Sequence, residues 1–584
     1  MPKMNAMEAA VSVLQAEGID VVFGIPGAAI LPLYKALSKN QEIQSITVRH
    51  EEGATHAADG WARATGKVGV AIGTSGPAGT NMVTGLYTAW ADSIPIITIT
   101  GQAPRSQLHR EGFQAVDICT IVQPVVKKSF LVMEPAQIPW VFREAFRIAR
   151  QGRPGPVHID LPLDVQQAEI DYEPATDHAL PVFSASPYLP ALRRALDMLL
   201  AARRPIVLAG GGVINANASQ ELMALAEYLQ VPVSPTLMGW GSVPADHPLY
   251  VGTVGIQTQT RAANQIFLES DFVLAVGARF AERHTGDLEI YTRGRKFVHI
   301  DVEATQIGRI FPPDLGIVAD ARLALSALGE IARDTTPRRA PGEWVDRVAA
   351  LKASRDRRMD LDSIPIKPAR VFRAINQVFG RQAIFTTAIG LYQIWSGQFQ
   401  QVYEPRHYLV CGQAGPLGWE IPAAIGVKCA HPDRDVVAVV GDYSFEFLME
   451  EVAVAVQYHI PIVIVMLNNG YLGLIRQPSK YQYSMNFGVD ISYGLNEDRG
   501  MDNVRAVEAM GGLGKKVLDP AELEEAMKWA RGVSQEQKLP VIVEVFIERE
   551  ADAAMGPSLD QIREFDEVID RDLALTATGE RLEL

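Results

Sequence analysis

The chain has 584 residues, 48% of them hydrophobic and 21% charged, the balance of a globular protein rather than a disordered or fibrous one. Its 54 Lys and Arg against 68 Asp and Glu give a formal charge of −14, which argues against a nucleic-acid binder, because such proteins carry a basic face. Three cysteines, Cys119, Cys411 and Cys429, are too few for a disulfide scaffold and lack metal-ligand spacing.

No uninterrupted apolar run approaches the ~20 residues that span a bilayer. The first residues lead into an amphipathic stretch without an apolar signal core. The expectation is a cytoplasmic protein with neither membrane nor nucleic acid as partner. At about 150 residues per domain, three or four domains are expected.

Short β-branched runs alternate with helical stretches almost throughout. Strands are expected at 68–72, 94–100, 157–160, 206–209, 272–276, 297–301, 436–440, 462–467 and 541–547. Apolar runs of this kind, without polar alternation, suit parallel strands buried on both faces. So many strands exceed one ordinary sheet. Proline-rich connectors at 171–187 and 335–368, the second around a helix expected at 346–362, cut the chain into blocks at 1–170, 188–334 and 368–550. A polar tail follows at 551–584. The first and third blocks share length and rhythm, a weak sign of duplication.

In the first block, Gly24-Ile-Pro-Gly, Thr74-Ser-Gly-Pro-Ala-Gly-Thr-Asn81 and Gly112-Phe-Gln-Ala-Val-Asp117 follow expected strands and read as tight turns or ligand loops. Arg49-His50-Glu51-Glu52-Gly53 opens a helix rich in small residues, where carboxylates favour the helix dipole. In the middle block a strand runs into Gly210, Gly211 and Gly212, a plausible nucleotide-phosphate loop. Thr236-Leu237, Gly277-Ala-Arg279, Asp301 and Asp320 also fall at strand ends. There a carboxylate can accept ribose hydroxyls and an arginine can pair with phosphate.

In the third block, Gly441-Asp442 ends one strand and Asn468-Asn469 the next, with Asp442 and Asn469 27 residues apart. One helix, expected at 447–458, fits between them. Both side chains then sit at the carboxyl ends of neighbouring parallel strands, where open sheets bind ligands. A carboxylate and an amide oxygen suit Mg²⁺, which completes its shell with water and phosphate. Gly441 and the helix start beyond it suit a diphosphate. Upstream, Cys411-Gly-Gln-Ala-Gly-Pro-Leu417-Gly-Trp-Glu-Ile-Pro is a loop entering a helix.

With Gly441-Asp442 and Asn468-Asn469 at this spacing, and with the first-block loops and the His50-Glu51-Glu52-Gly53 stretch, the sequence resembles the thiamine diphosphate-dependent enzymes of the acetohydroxyacid synthase-like family along essentially its whole length. The resemblance implies an α/β protein of three doubly wound parallel-sheet domains: pyrimidine-binding, central FAD-type and diphosphate-binding. It implies Mg²⁺ on Asp442, Asn469 and the backbone carbonyl of Tyr471, with Leu417 propping the bent cofactor. Glu51 matches the glutamate that activates the pyrimidine ring, while Phe113 and Gln114 match residues facing the reacting carbonyl. The central-domain residues Gly210, Gly211, Gly212, Thr236, Leu237, Gly277, Arg279, Asp301 and Asp320 match an FAD site whose flavin does no redox work. Because the two cofactor halves lie some 390 residues apart and meet across subunits in the family, a homodimer is the smallest expected unit, and a homotetramer is expected.

The implied substrate is a small 2-oxo acid. Acetohydroxyacid synthases carry a tryptophan against the acceptor's side chain, and the register here puts Pro478 at that place. The match is better to the glyoxylate-using carboligases of the family, with Arg283 at the acceptor carboxylate and Ile389 and Leu472 as apolar pocket walls. Those carboligases have valine at the activating position, whereas this chain has Glu51. It is either a homologue that kept the acid or an engineered variant that restored it. Acetohydroxyacid formation, aldehyde coupling and a flavin-dependent oxidase are the alternatives.

Overall fold

The structure is a computed structural model and describes residues 2–494 and 499–565. Three parallel sheets account for the strand runs. The first holds β1 (Val21–Gly24), β2 (Gln44–Thr47), β3 (Gly69–Gly73), β4 (Ile96–Gln102), β5 (Lys128–Leu131) and β6 (Val157–Pro162), in the order β2-β1-β3-β4-β6-β5. The second holds β7 (Pro205–Ala209), β8 (Val233–Pro235), β9 (Phe272–Val276), β10 (Lys296–Asp301) and β11 (Leu315–Val318), in the order β8-β7-β9-β10-β11. The third holds β12 (Ile384–Thr387), β13 (Tyr408–Val410), β14 (Val436–Gly441), β15 (Val463–Asn468), β16 (Leu513–Val517) and β17 (Val541–Phe546), in the order β13-β12-β14-β15-β17-β16. A short antiparallel pair, Lys3–Asn5 with Glu169–Asp171, ties the ends of the first unit together.

The outer sheets have one and the same strand order, so the likeness of the first and third blocks is topological. The unbroken apolar strands are what such sheets require: all residues of β14 and β15 are buried, with helices covering both faces.

Five helices matter for the site: α1 (Glu51–Thr65), α2 (Leu391–Phe399), α3 (Glu420–Ala430), α4 (Asp442–Phe447) and α5 (Glu451–Gln457). The single helix expected at 447–458 is therefore two. The chain leaves helical backbone at Leu448 (φ −138°), whose side chain turns into the core. The helix expected at 346–362 runs instead over Glu343–Arg355. It stops where Arg357 turns inward to donate to the Glu564 carboxylate at 2.8 Å and the Gln259 carbonyl at 3.0 Å. The tail expected at 551–584 is not uniformly polar surface. Ala551, Asp552, Ala553 and Ala554 are buried, and the Ala553 and Ala554 carbonyls accept from Gln477 at 2.8 Å and Gln398 at 2.7 Å. Its remainder, 566–584, lies outside the described residues.

α1 and α3 join the first and third sheets. Nearly every residue of each is buried, and one apolar cluster runs from Phe23 and Ile46 through Ala57, Trp61, Ile421 and Ile425 to Val440 and Met466. A Cβ at Gly60 would stand 2.4 Å from the Ala423 carbonyl oxygen, and one at Gly426 2.0 Å from that of Ala57. The two backbones touch, and only glycine allows it. We predict that Gly426→Val forces the helices apart. Overpacking of this kind costs about 1–3 kcal/mol or more, so the thermal unfolding midpoint should fall by several degrees. An unchanged midpoint would show that the contact carries no such constraint.

Candidate active site

The outer and middle sheets change direction between their first and third strands, which is where ligands enter doubly wound folds. In the third sheet this switch lies between β12 and β14. The loop after β12 carries Ile389 and Gly390 into α2, and β14 ends in Gly441-Asp442 at the start of α4. Neither α2 nor α4 has an N-cap side chain at its start, so their first N–H groups, apart from that of Tyr443, which Asp442 takes, are suited to an anion.

Asp442 is 3% exposed. Its carboxylate accepts the N–H of Tyr443 at 3.0 Å and that of Gly470 at 2.7 Å, while burial pushes the carboxyl up to about 7. Asn469 is buried beside it on the turn after β15, with its Oδ1 accepting the Tyr471 N–H at 3.2 Å. A buried carboxylate without a cationic partner among its hydrogen bonds is a place where a divalent cation relieves the desolvation cost. Among the described residues no group of three or more His, Cys, Asp or Glu could hold a metal. The oxygen donors at hand are the Asp442 carboxylate and the Asn469 amide, which a cation would supplement with ligand oxygens. That is the chemistry Mg²⁺ accepts, and the residues fit the ion and a diphosphate.

The apolar candidates gather here. A Cβ at Gly415 would lie 3.5 Å from Ile389, and one at Gly473, next to Leu472, would lie 2.9 Å from the Asn469 amide. Leu417 is half-buried on the same 411–419 loop. Tyr471 is nearly buried, with the Arg549 guanidinium 4.2 Å above its ring. Pro478 stands inside the helix Gly473–Tyr483.

In the first domain, Glu51 begins α1 half-buried, and its Oε2 accepts from the Asn81 amide at 2.9 Å. Asn81 closes the loop after β3, and Gly76 of that loop abuts Gln114, 2.9 Å from its Cβ if Gly76 carried one. Glu51 and Gln114 therefore flank one glycine-rich loop. Phe113 is 86% exposed. The turn bearing Glu51 is held from the third domain by Glu451 of α5, a fully buried carboxylate whose Oε1 accepts the N–H groups of Arg49 and His50, each at 3.0 Å. Sequence reading passed over Glu451; its one signal was a carboxylate beginning the apolar run Val452–Val456.

The middle domain contains a cavity of about 390 Å³ at its own switch point, between β7 and β9. Gly211, Gly212, Thr236, Leu237, Gly277, Arg279, Asp301 and Asp320 all line it. Gly210 does not appear in that lining, and its need for glycine has another cause. A Cβ there would meet the Gly277 carbonyl oxygen at 2.0 Å, and one at Gly212 the Gly277 Cα at 2.7 Å, so these glycines let two loops cross. Asp320 caps the helix Ala321–Thr335 through the N–H groups of Arg322 and Leu323. Arg279 donates to the Ala91 carbonyl and lies 3.5 Å from the Asp92 carboxylate. Burial and then the neighbouring Arg279 hold the Arg153 guanidinium below its usual range. Arg150, Arg153, Arg279 and Arg283 line the cavity together with Asp92, Asp301, Glu303 and Asp320, cations for phosphate and carboxylates for hydroxyls, which fits a nucleotide such as FAD.

Comparison with known proteins identifies the family of the three domains. Residues 4–121 match the family described as thiamine pyrophosphate enzyme, N-terminal TPP binding domain. Residues 192–328 match the central domain of the same enzymes, and 388–545 their C-terminal TPP binding domain. The chain is 48% identical over 579 residues to a glyoxylate carboligase of Escherichia coli O157:H7, covering 98% of each chain. It is 38% identical over 553 residues to a probable acetolactate synthase large subunit of Methanococcus aeolicus, covering 90% of each. It is 36% identical over 553 residues to the acetolactate synthase large subunit of Corynebacterium glutamicum, covering 94% of this chain and 88% of that one. With three domains of the right kind in the right order, and a metal-suited pair at the switch point of the last, the chain belongs to the thiamine pyrophosphate enzymes.

Proposed function

We propose that the chain is a carboligase that removes CO₂ from one glyoxylate and joins the remaining carbon to a second, giving 2-hydroxy-3-oxopropanoate. The observation that carries this reading is the 48% identity, end to end, with a protein named glyoxylate carboligase, together with the buried Asp442–Asn469 pair. Asp442, Asn469 and the Tyr471 carbonyl would hold Mg²⁺, with the diphosphate against Gly441 and the open starts of α2 and α4. Leu417 would support the cofactor's rings from the loop before α3. Thiamine diphosphate, when bound, supplies the electron sink for the carbon that loses CO₂.

The chain's own residues then have distinct tasks. Glu51, steadied by Asn81, would hold a proton at N1′ of the pyrimidine. Ile389 and Leu472 would exclude water from the leaving carboxylate, and Gln114 and Phe113 would orient the reacting carbonyl. Arg283 is assigned to the acceptor carboxylate, whose planar shape suits a guanidinium fork. Its position on the middle cavity also leaves it available to a nucleotide. FAD in that cavity, on Gly211, Gly212, Thr236, Leu237, Gly277, Arg279 and Asp301, would be a structural ligand without redox work.

The working unit is a homodimer or a homotetramer of such dimers. Large apolar side chains that face outward, Phe113 at 86%, Tyr483 at 71% and Phe487 at 87% exposed, are of the kind subunit contacts use. A second reading, condensation of pyruvate, draws on Glu51 and on the relatives named acetolactate synthases.

With Mg²⁺ and thiamine diphosphate, glyoxylate should give CO₂ and the three-carbon semialdehyde, and pyruvate little product; acetolactate as main product would favour the second reading. Asp442→Ala should reduce turnover at least about a hundredfold, as expected when a metal-anchoring ligand is lost; undiminished turnover would overturn the metal assignment. Glu51→Val should slow hydrogen–deuterium exchange at the cofactor's C2 while leaving substantial carboligation, measured by NMR and product assay. Complete loss of carboligation would mean that the acid is indispensable.

A further inference from the structure

We propose that Glu420 is a positioning residue for the cofactor floor, its carboxylate tying together the segments that carry Ile389, Leu417 and Asp442. The inference rests on the reading of that floor as the thiamine diphosphate and metal site. Glu420 is the first residue of α3 and fully buried, and Lys428 is the one other charged residue of that helix. Its carboxylate accepts the hydroxyl of Tyr392 and that of Ser444, whose Oγ lies 2.9 Å from Oε1 and 3.1 Å from Oε2.

Each partner belongs to a different wall. Tyr392 stands three residues after Ile389, and its hydroxyl also reaches the Ile389 carbonyl oxygen at 2.9 Å. Its ring packs where a Cβ on Gly441 would be, 2.8 Å away, so the tyrosine supports the Gly441-Asp442 turn from below. Ser444, two residues after Asp442, accepts the N–H of Gly418, the residue following Leu417, at 3.1 Å. Thr386, at the end of β12, donates to the Glu420 carbonyl at 3.1 Å.

The chemistry explains why an acid stands here. A carboxyl oxygen has two acceptor sites, so Glu420 Oε1 can take both hydroxyls at once. Ser444 is then turned to receive the Gly418 N–H on its own lone pairs. The donors run in one direction, from Gly418 through Ser444 to Glu420, and from Tyr392 to the same group. A side chain without an acceptor would leave the buried Ser444 hydroxyl unmatched and Tyr392 with the Ile389 carbonyl alone, and an unmatched buried donor costs more than the bond itself contributes. The three segments would then lose their common register. The effect falls on the binding of the cofactor, because the segments Glu420 joins surround that ligand.

The test titrates thiamine diphosphate with Mg²⁺ into metal-free protein by fluorescence quenching, and measures glyoxylate KM at saturating cofactor. Glu420→Ala should raise the cofactor half-saturation by about tenfold or more, the scale of an unmatched buried donor, with the glyoxylate KM within about twofold of the parent's. Glu420→Gln, which keeps an acceptor oxygen, should recover most of the loss.

Parent-like cofactor binding in folded Glu420→Ala overturns the proposal. So does a Gln variant as weak as the Ala one, which would mean that charge and not hydrogen-bond geometry is needed. Should Glu420→Ala not fold, Tyr392→Phe decides. It removes one hydroxyl and should weaken the cofactor several-fold, and no change refutes the linkage. A parent protein that binds no thiamine diphosphate refutes the site reading itself, an outcome distinct from intact binding in every variant.

Discussion

Backbone contact between α1 and α3 is the constraint from which the rest of the arrangement follows. Gly60 and Gly426 put two helices from different domains closer than any side chain permits, and the apolar cluster around them is continuous with both outer sheets. α1 begins with Glu51, and α3 begins just after the loop bearing Leu417. Beside them, Glu451 of the third domain accepts two N–H groups from the turn that presents Glu51, and a Cβ on Gly53 would collide with that carboxylate at 2.4 Å. The Tyr458 hydroxyl, just past α5, accepts the Thr47 N–H at 2.9 Å. The turn that presents Glu51 is thus held by residues of two domains.

The same economy appears in topology. Both outer sheets follow one strand order, and the middle sheet has the order of the flavodoxin type. All three open a crevice between their first and third strands, with the Thr74–Asn81 loop, the middle cavity and Gly441-Asp442 at the three in turn. Asp92 links them. It accepts the N–H groups of Gly412 and Gln413 at 2.8 and 3.1 Å, pairs with buried Arg63 at 3.1 Å, and lies 3.5 Å from Arg279 of the middle cavity. A ligand in that cavity therefore borders the loop that leads to Leu417.

Much of this was legible in the sequence, for definite reasons. Unbroken apolar runs such as 436–440 have no other comfortable home than a covered parallel sheet. Asp442 and Asn469 announced themselves by following such runs at a spacing that one crossover fits. What escaped reading were side chains whose role depends on partners far along the chain. Glu420 and Glu451 look like ordinary acids at helix starts, yet both are fully buried. Their places at strand ends suggest Arg279 and Asp320 as ligands for a nucleotide, but part of their bonding goes to the Ala91 carbonyl and to a helix start. Gly210 suggests a phosphate turn, whereas the crossing of two loops already demands it. Local pattern reveals which residues stand at a strand end, and only the packed structure reveals what they touch.

The account depends on one buried carboxylate and one amide holding a cation that in turn holds a diphosphate. The direct measurement is calorimetric titration of protein stripped of metal with thiamine diphosphate, in the presence and in the absence of Mg²⁺. Saturable binding, about one cofactor per chain and dependent on Mg²⁺, is the predicted result. Binding that is equally tight without any divalent cation, or no binding at all, would contradict it.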